Sequence, residues 1–89
     1  MKLFFAYILR SRKDGRYYYG STGNLDRRIA EHNSGRVRSA KHRGPFELHY
    51  CEMFGSRSEA YRREIFFKTI DGYLWLRENK IILETCPSG

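Results

Sequence analysis

Leu3-Phe4-Phe5-Ala6-Tyr7-Ile8-Leu9 is a continuous apolar and aromatic run, and in a chain of 89 residues it dictates where the core must lie. A segment without polar alternation suits a strand covered on both faces, so it is expected at the centre of a sheet. Lys13-Asp14-Gly15 supplies turn chemistry, with Gly15 able to take the positive φ that closes a hairpin. Arg16 to Ser21 returns as a second strand. With Arg12 to Gly15 as a four-residue loop, Ser11 pairs with Arg16, Tyr7 falls opposite Gly20, and Tyr18 shares their face. A three-residue loop would present Tyr17 and Tyr19 instead; the even loop is the one expected. Gly20 then leaves room between two tyrosines, as a strand glycine does where a ligand approaches closely.

The following helix opens at Asn24, a good N-cap, carries Asp26 near the positive end of its dipole, and is expected to stop at Gly35. Leu25, Arg28, Ile29 and His32 stand at i, i+3, i+4 and i+7, which puts an arginine and a histidine on the stripe that must face the sheet. Sinking an unpaired arginine costs several kcal/mol. Arg28 should therefore meet a carboxylate or an anionic ligand, or else lay its stem over the core with its head in water. His32 is either a packed or capping residue or part of the same site. Arg27 and Glu31 fall off the stripe.

A net charge of +7 and a pI near 9.7 lean toward a polyanionic partner, nucleic acid before an anionic membrane surface. No apolar stretch is long enough to span a bilayer, and the N-terminal run lacks a small-residue cleavage site, so neither an anchor nor a signal peptide is expected. Cys51 and Cys86 have no zinc spacing and suit reduced thiols in a cytoplasmic protein, with a Cys51–Cys86 disulfide as the alternative. Arg36, Arg38, Lys41, His42 and Arg43 fall in a stretch without period, suited to gripping a phosphate backbone or to a plain solvated loop.

Pro45 opens a third strand, Phe46 to Phe54, in which Phe46, Leu48 and Tyr50 alternate with Glu47, His49 and Cys51, His49 being a structural face residue. Ser56-Arg57-Ser58-Glu59 is a capping box. The helix it starts is expected to run to about Ile70. On a helical projection Glu64 falls between Ala60 and Tyr61, with Phe67 and Ile65 bounding the arc, while Arg62, Arg63 and Thr69 point outward. A carboxylate thus sits inside the buried stripe. A third helix is expected from Gly72 to about Lys80, Ile81 to Leu83 as an extended tail, and residues 84–89 as a frayed end. The fold class is α/β (α+β), a three-stranded antiparallel sheet with three helices in the order β-β-α-β-α-α, residues 1–83 forming one domain. One inward carboxylate argues for a single metal ion rather than two.

Taken together, these residues resemble a GIY-YIG nuclease domain. Phe5-Ala6-Tyr7 stands where the first motif would, Tyr18-Tyr19-Gly20 where the second would, with 11 residues from tyrosine to tyrosine. Arg28 follows Gly20 by eight residues, as the family's invariant arginine does, and His32 lies one turn on. Ser58-Glu59-Ala60-Tyr61-Arg62-Arg63-Glu64 is similar to the segment ending in the family's metal-binding glutamate. Phe-Ala replaces Gly-Ile, and Tyr19 replaces a small aliphatic residue. The resemblance is greatest to small single-domain bacterial members. It implies a metal-dependent endonuclease acting on DNA phosphodiester bonds in repair, recombination or DNA processing, with one Mg²⁺ or Mn²⁺ at Glu64. Tyr7, Tyr18, Arg28, His32 and Glu64 would be its catalytic residues, Gly20 a spacer, and Arg27, Arg36, Arg38, Lys41, His42 and Arg43 its DNA contacts. Tyr7 is favoured as the base, with Tyr18 its rival. A catalytically silent nucleic-acid-binding module on the same fold is the alternative, and a basic protein–protein adaptor a third.

Overall fold

The computed structural model describes residues 2–34 and 45–82. Its elements are β1 (Phe4–Ser11), β2 (Tyr17–Thr22), α1 (Leu25–Asn33), β3 (Phe46–Phe54), α2 (Arg57–Phe67) and α3 (Ile70–Glu78). The three strands form one antiparallel sheet in the order β2-β1-β3, so the apolar run is the central strand. Its odd and even side chains feed two cores. Ala6 and Ile8 pack with Phe67, Leu76 and Ile82 under α2 and α3, whereas Tyr7 and Leu9 pack with Phe46, Leu25 and Ile29 under α1.

The first hairpin has the expected register. Ser11 N–H donates to the Arg16 carbonyl at 2.9 Å, Gly15 takes φ 75°, and Tyr7 lies opposite Gly20. Asn24 caps α1 by accepting from Arg27 N–H, and Ser56 caps α2 by accepting from Glu59 N–H. Asn33, the last residue of α1, bonds both backbone groups of Phe46: its Nδ2 donates to the carbonyl at 3.2 Å and its Oδ1 accepts from the N–H at 2.6 Å. This side chain joins the end of α1 to the start of β3. The expected stop at Gly35, the basic stretch of Arg36, Arg38, Lys41, His42 and Arg43, the Cys51–Cys86 alternative and the tail at 84–89 lie outside the described residues.

Four local expectations are corrected. The alternation of β3 breaks at His49: Ile8 pairs with Tyr50 but Leu9 with Leu48, a bulge that turns Tyr50 onto the face opposite Phe46. Tyr50 and Glu52 thereby face α2, and Tyr50 O–H donates to Glu52 Oε2 at 2.5 Å. The second correction is the end of α2 at Phe67 rather than Ile70. Thr69 Oγ1 donates to the Phe66 carbonyl and accepts from Gly72 N–H, so the threonine closes one helix and caps the next, which starts at Ile70. Gly72 makes that corner possible, since a Cβ there would lie 1.8 Å from the Phe66 carbonyl oxygen. The third concerns the buried arc of α2. Ala60 and Phe67 are buried, but Tyr61 is 54% exposed and Ile65 42%, and Arg63 turns inward.

Arg63 is held there by two kinds of partner. Its Nε donates to Glu52 Oε1 at 2.8 Å, and its guanidinium packs over Trp75 at 4.4 Å and Phe66 at 4.7 Å from the ring centroids. The bulge supplies the carboxylate, and the corner at Thr69 brings in the Trp75 ring beside Phe66 of Arg63's own helix. Ile81 and Ile82 turn back on α3 where an extended tail was expected, both N–H groups donating to the Leu76 carbonyl; Ile82 is buried, and His49 Nε2 meets the Ile81 carbonyl at 2.5 Å.

Candidate active site

The site lies across β2, an edge strand, where side chains from both faces of the sheet can meet. Tyr7 leaves central β1 on the α1 face and its ring lies over Gly20: a Cβ on Gly20 would come within 2.3 Å of the hydroxyl oxygen and 2.5 Å of the ring carbon bearing it. The missing side chain is what brings the phenol to the edge. There Arg28 Nε donates to the Tyr7 oxygen at 3.3 Å. Arg28 Nη1 also donates to Glu31 Oε1 at 3.0 Å, so of the alternatives open to an arginine on that stripe it meets a carboxylate, on its own helix, while its side chain stays 39% exposed.

From the other face, α2 delivers Glu64. Its side chain is 14% exposed and committed on both oxygens: Oε1 accepts from Ser21 Oγ at 2.7 Å and Oε2 from Lys68 Nζ at 2.9 Å. Ser21 follows Gly20, so strand alternation turns it toward α2 while Gly20 faces α1. Tyr7, Tyr18, Gly20, Arg28, His32 and Glu64, all singled out from the sequence, line one open cavity of about 270 Å³ with Tyr19, Ser21 and Lys68. Arg27 is elsewhere, on an adjoining groove, where it bonds Glu31 Oε2 through Nε at 3.3 Å. Tyr18 stands edge-on to Phe46, centroids 5.0 Å apart.

Ser21 and Lys68 were not anticipated. Lys68 had an available signal, standing at i+4 from Glu64 on one helix, the spacing at which a glutamate and a following lysine meet. Ser21 had none beyond its position next to Gly20.

Burial dominates the electrostatics of the tyrosine. It raises the Tyr7 pKa above its ordinary 10.0, and the bond from Arg28 pulls the other way without cancelling it. Arg28 is shifted up, chiefly by that bond, and Glu31 is shifted down, chiefly by Arg28. His32 is buried edge-on to Tyr7 and Phe46, and burial followed by the Arg28 charge lowers its pKa below 6.5. Neither ring nitrogen has a hydrogen-bond partner among the described residues. Burial and the neighbouring Arg28 charge thus both favour the neutral imidazole.

Among the described residues no three His, Cys, Asp or Glu side chains gather as a ready metal cage. What the cavity does offer is one carboxylate beside hydroxyls, with open volume for water. That donor set suits Mg²⁺, which keeps several waters and takes one or two carboxylates together with substrate phosphates. No helix among the described residues is long and apolar enough to cross a membrane.

Fold and site together define a small α/β (α+β) domain with tyrosines, an arginine and a glutamate gathered at one sheet edge. Residues 3–71 match the family described as the GIY-YIG catalytic domain, and the chain belongs to that nuclease family. A UPF0213 protein of Staphylococcus haemolyticus is 47% identical over 66 residues, 73% of this chain and 79% of that protein. A UPF0213 protein of Listeria welshimeri is 41% identical over 80 residues, 83% of this chain and 88% of that one. The solution NMR structure of a UPF0213 protein from Bacillus halodurans is similar at a TM-score of 0.52 and 36% identity, covering 88% of this chain and 85% of the other.

Proposed function

We propose that this domain is an endonuclease that hydrolyses DNA phosphodiester bonds with one Mg²⁺ or Mn²⁺ held by Glu64, in DNA repair, recombination or processing. The observation that carries it is the meeting of Tyr7, Arg28 and Glu64, from three different elements, on one cavity open at the sheet edge.

A divalent ion on Glu64 would neutralise charge at the phosphate and the departing oxygen. The remaining roles belong to the chain. Arg28 has donors left over after its bonds to Tyr7 and Glu31, and these suit a non-bridging phosphate oxygen whose charge grows as water attacks. Tyr7, as phenolate, accepts the proton of that water, and the Arg28 bond favours this form against burial. Tyr18 is the second candidate base. Neutral His32 packs edge-on to the Tyr7 ring and fixes its orientation. Ser21 orients the Glu64 carboxylate, and Lys68, 48% exposed, can leave it when a metal and a phosphate arrive.

The experiment is cleavage of single-stranded, duplex, flap, fork and four-way-junction DNA with Mg²⁺, Mn²⁺ or chelator, beside Glu64→Ala. Cutting that needs metal and vanishes in the variant is the expected result. Metal-independent binding with no cutting by either protein would replace the nuclease with a silent binding module.

A further inference from the structure

We propose that a groove beside the candidate site, walled by Lys2, Arg27 and Arg57, is a second phosphate subsite that takes the stretch of nucleic-acid backbone adjoining the phosphate at Arg28. This rests on the nucleic-acid function proposed above and extends it to how the strand is gripped.

The groove, about 320 Å³, adjoins the site, because Ser21 and Arg28 line both hollows. Its ionisable wall consists of four cations, Lys2, Arg27, Arg28 and Arg57, against one carboxylate, Glu31. That carboxylate is divided between Arg27 Nε at 3.3 Å and Arg28 Nη1 at 3.0 Å. Lys2 and Arg57 have no carboxylate partner among the described residues. Both instead pack on the Phe4 ring, Lys2 Nζ at 5.5 Å and Arg57 at 5.0 Å from its centroid. Gly23 leaves the space, since a Cβ there would press within 3.1 Å of that ring and 3.2 Å of the Lys2 chain.

Arg57 is the first residue of α2, where a cation opposes the helix dipole. Its place adds charge to the groove at the expense of the helix. Two adjoining hollows, each with excess positive charge and sharing a wall, match a polymer that repeats its anionic group rather than a lone phosphate ion. Contacts of this kind position a backbone and read no sequence.

The test is equilibrium binding of fluorescein-labelled single-stranded and duplex oligonucleotides to the whole chain, with chelator present, over a series of salt concentrations. Lys2→Gln/Arg57→Gln is compared with the wild type and with Arg12→Gln/Arg16→Gln, an equal charge change at the hairpin turn, the other end of β1 and β2. Thermal melting establishes that all three proteins fold. The groove pair should bind about tenfold more weakly at low salt and lose roughly 1.4–1.8 from the slope of log K against log salt, two phosphate contacts' worth. The turn pair should do neither.

Equal losses in both pairs, or none in the groove pair, would overturn the subsite. Wild-type cleavage in Mg²⁺ separates the two proposals. Cutting with an unchanged groove pair removes only the subsite, binding that depends on the groove without cutting removes only the nuclease, and no binding at low salt removes both.

Discussion

The Tyr7 hydroxyl oxygen lies 2.3 Å from where a Cβ on Gly20 would be, so a residue with no side chain sets the position of one of the largest. Neither can yield. The Tyr7 ring is 2% exposed and wedged in the core, and Gly20 is paired to Tyr7 itself in the ladder. Gly20→Ala should displace the phenol from Arg28, lower stability by about 1–3 kcal/mol as an overpacked core does, and cut cleavage by more than tenfold. Melting temperature and single-turnover rate measure the two effects; wild-type values for both would mean that the ring moves freely.

Glu64 is occupied by Lys68, and the occupancy should be measurable. An exposed i,i+4 ion pair is worth about 0.3–1 kcal/mol, so Lys68→Met should tighten Mn²⁺ binding by roughly two- to fivefold. Titration followed by the paramagnetic resonance of free Mn²⁺ reads this without any turnover. Weaker binding in the variant would show that lysine and metal do not compete for the carboxylate.

Alkaline pH should accelerate the reaction if Tyr7 is the base. The reactive form is the phenolate, and burial holds the Tyr7 pKa above 10.0, so the phenolate fraction grows about tenfold per pH unit with no plateau below that value. Arg28 favours the phenolate, so Arg28→Gln should move the rise to still higher pH as well as lowering the rate. Tyr7→Phe and Tyr18→Phe, profiled side by side, identify which hydroxyl carries the slope. A flat profile from neutral to alkaline pH would exclude both.

Acid should unfold the domain partly through His32. Its folded pKa lies below 6.5, so the unfolded chain binds more protons, and the stability held above pH 6.5 is lost as pH falls toward the folded value. His32→Phe should flatten that part of the pH–stability curve, measured by denaturant titration. An unchanged curve would place the acid sensitivity elsewhere.

Arg63 should matter to stability and Arg62 should not. Truncating Arg63 strands Glu52 beside Tyr50, whose pKa burial and that carboxylate already push to about 12, and removes the cation from the Trp75 face. Arg63→Ala should cost about 2 kcal/mol, a fall in melting temperature of roughly 8–16 °C, while exposed Arg62→Ala stays within about 0.5 kcal/mol.

Much of the candidate site was legible in the sequence because it rests on short-range rules. Hairpin register follows from the loop between Ser11 and Arg16, and register alone puts Tyr7 over Gly20. Helical spacing alone puts Arg28 and His32 on the sheet side. Arg63 was illegible for a different reason: its partner Glu52 faces α2 only because the β3 bulge at His49 shifts the alternation by one, and nothing local in Glu47–Cys51 announces a bulge. The break at Thr69 depends on one side chain that closes α2 and caps α3, so Ile70, expected at the end of α2, instead opens α3 on the surface at 78% exposure. Ser21 and Lys68 belong to the site only because β2 and α2 meet, which puts Ser21 against a carboxylate 43 residues away, beyond the reach of local rules.

The Asn33 amide, bonded to both backbone groups of Phe46, fixes where the chain leaves α1 and where it must return. Whatever lies between Ser34 and Pro45 starts and ends at one pinned neck. One amide thus seats the end of α1 against the start of β3, so Asn33→Ala would loosen the helix that carries Arg28 and His32 and not merely remove two hydrogen bonds.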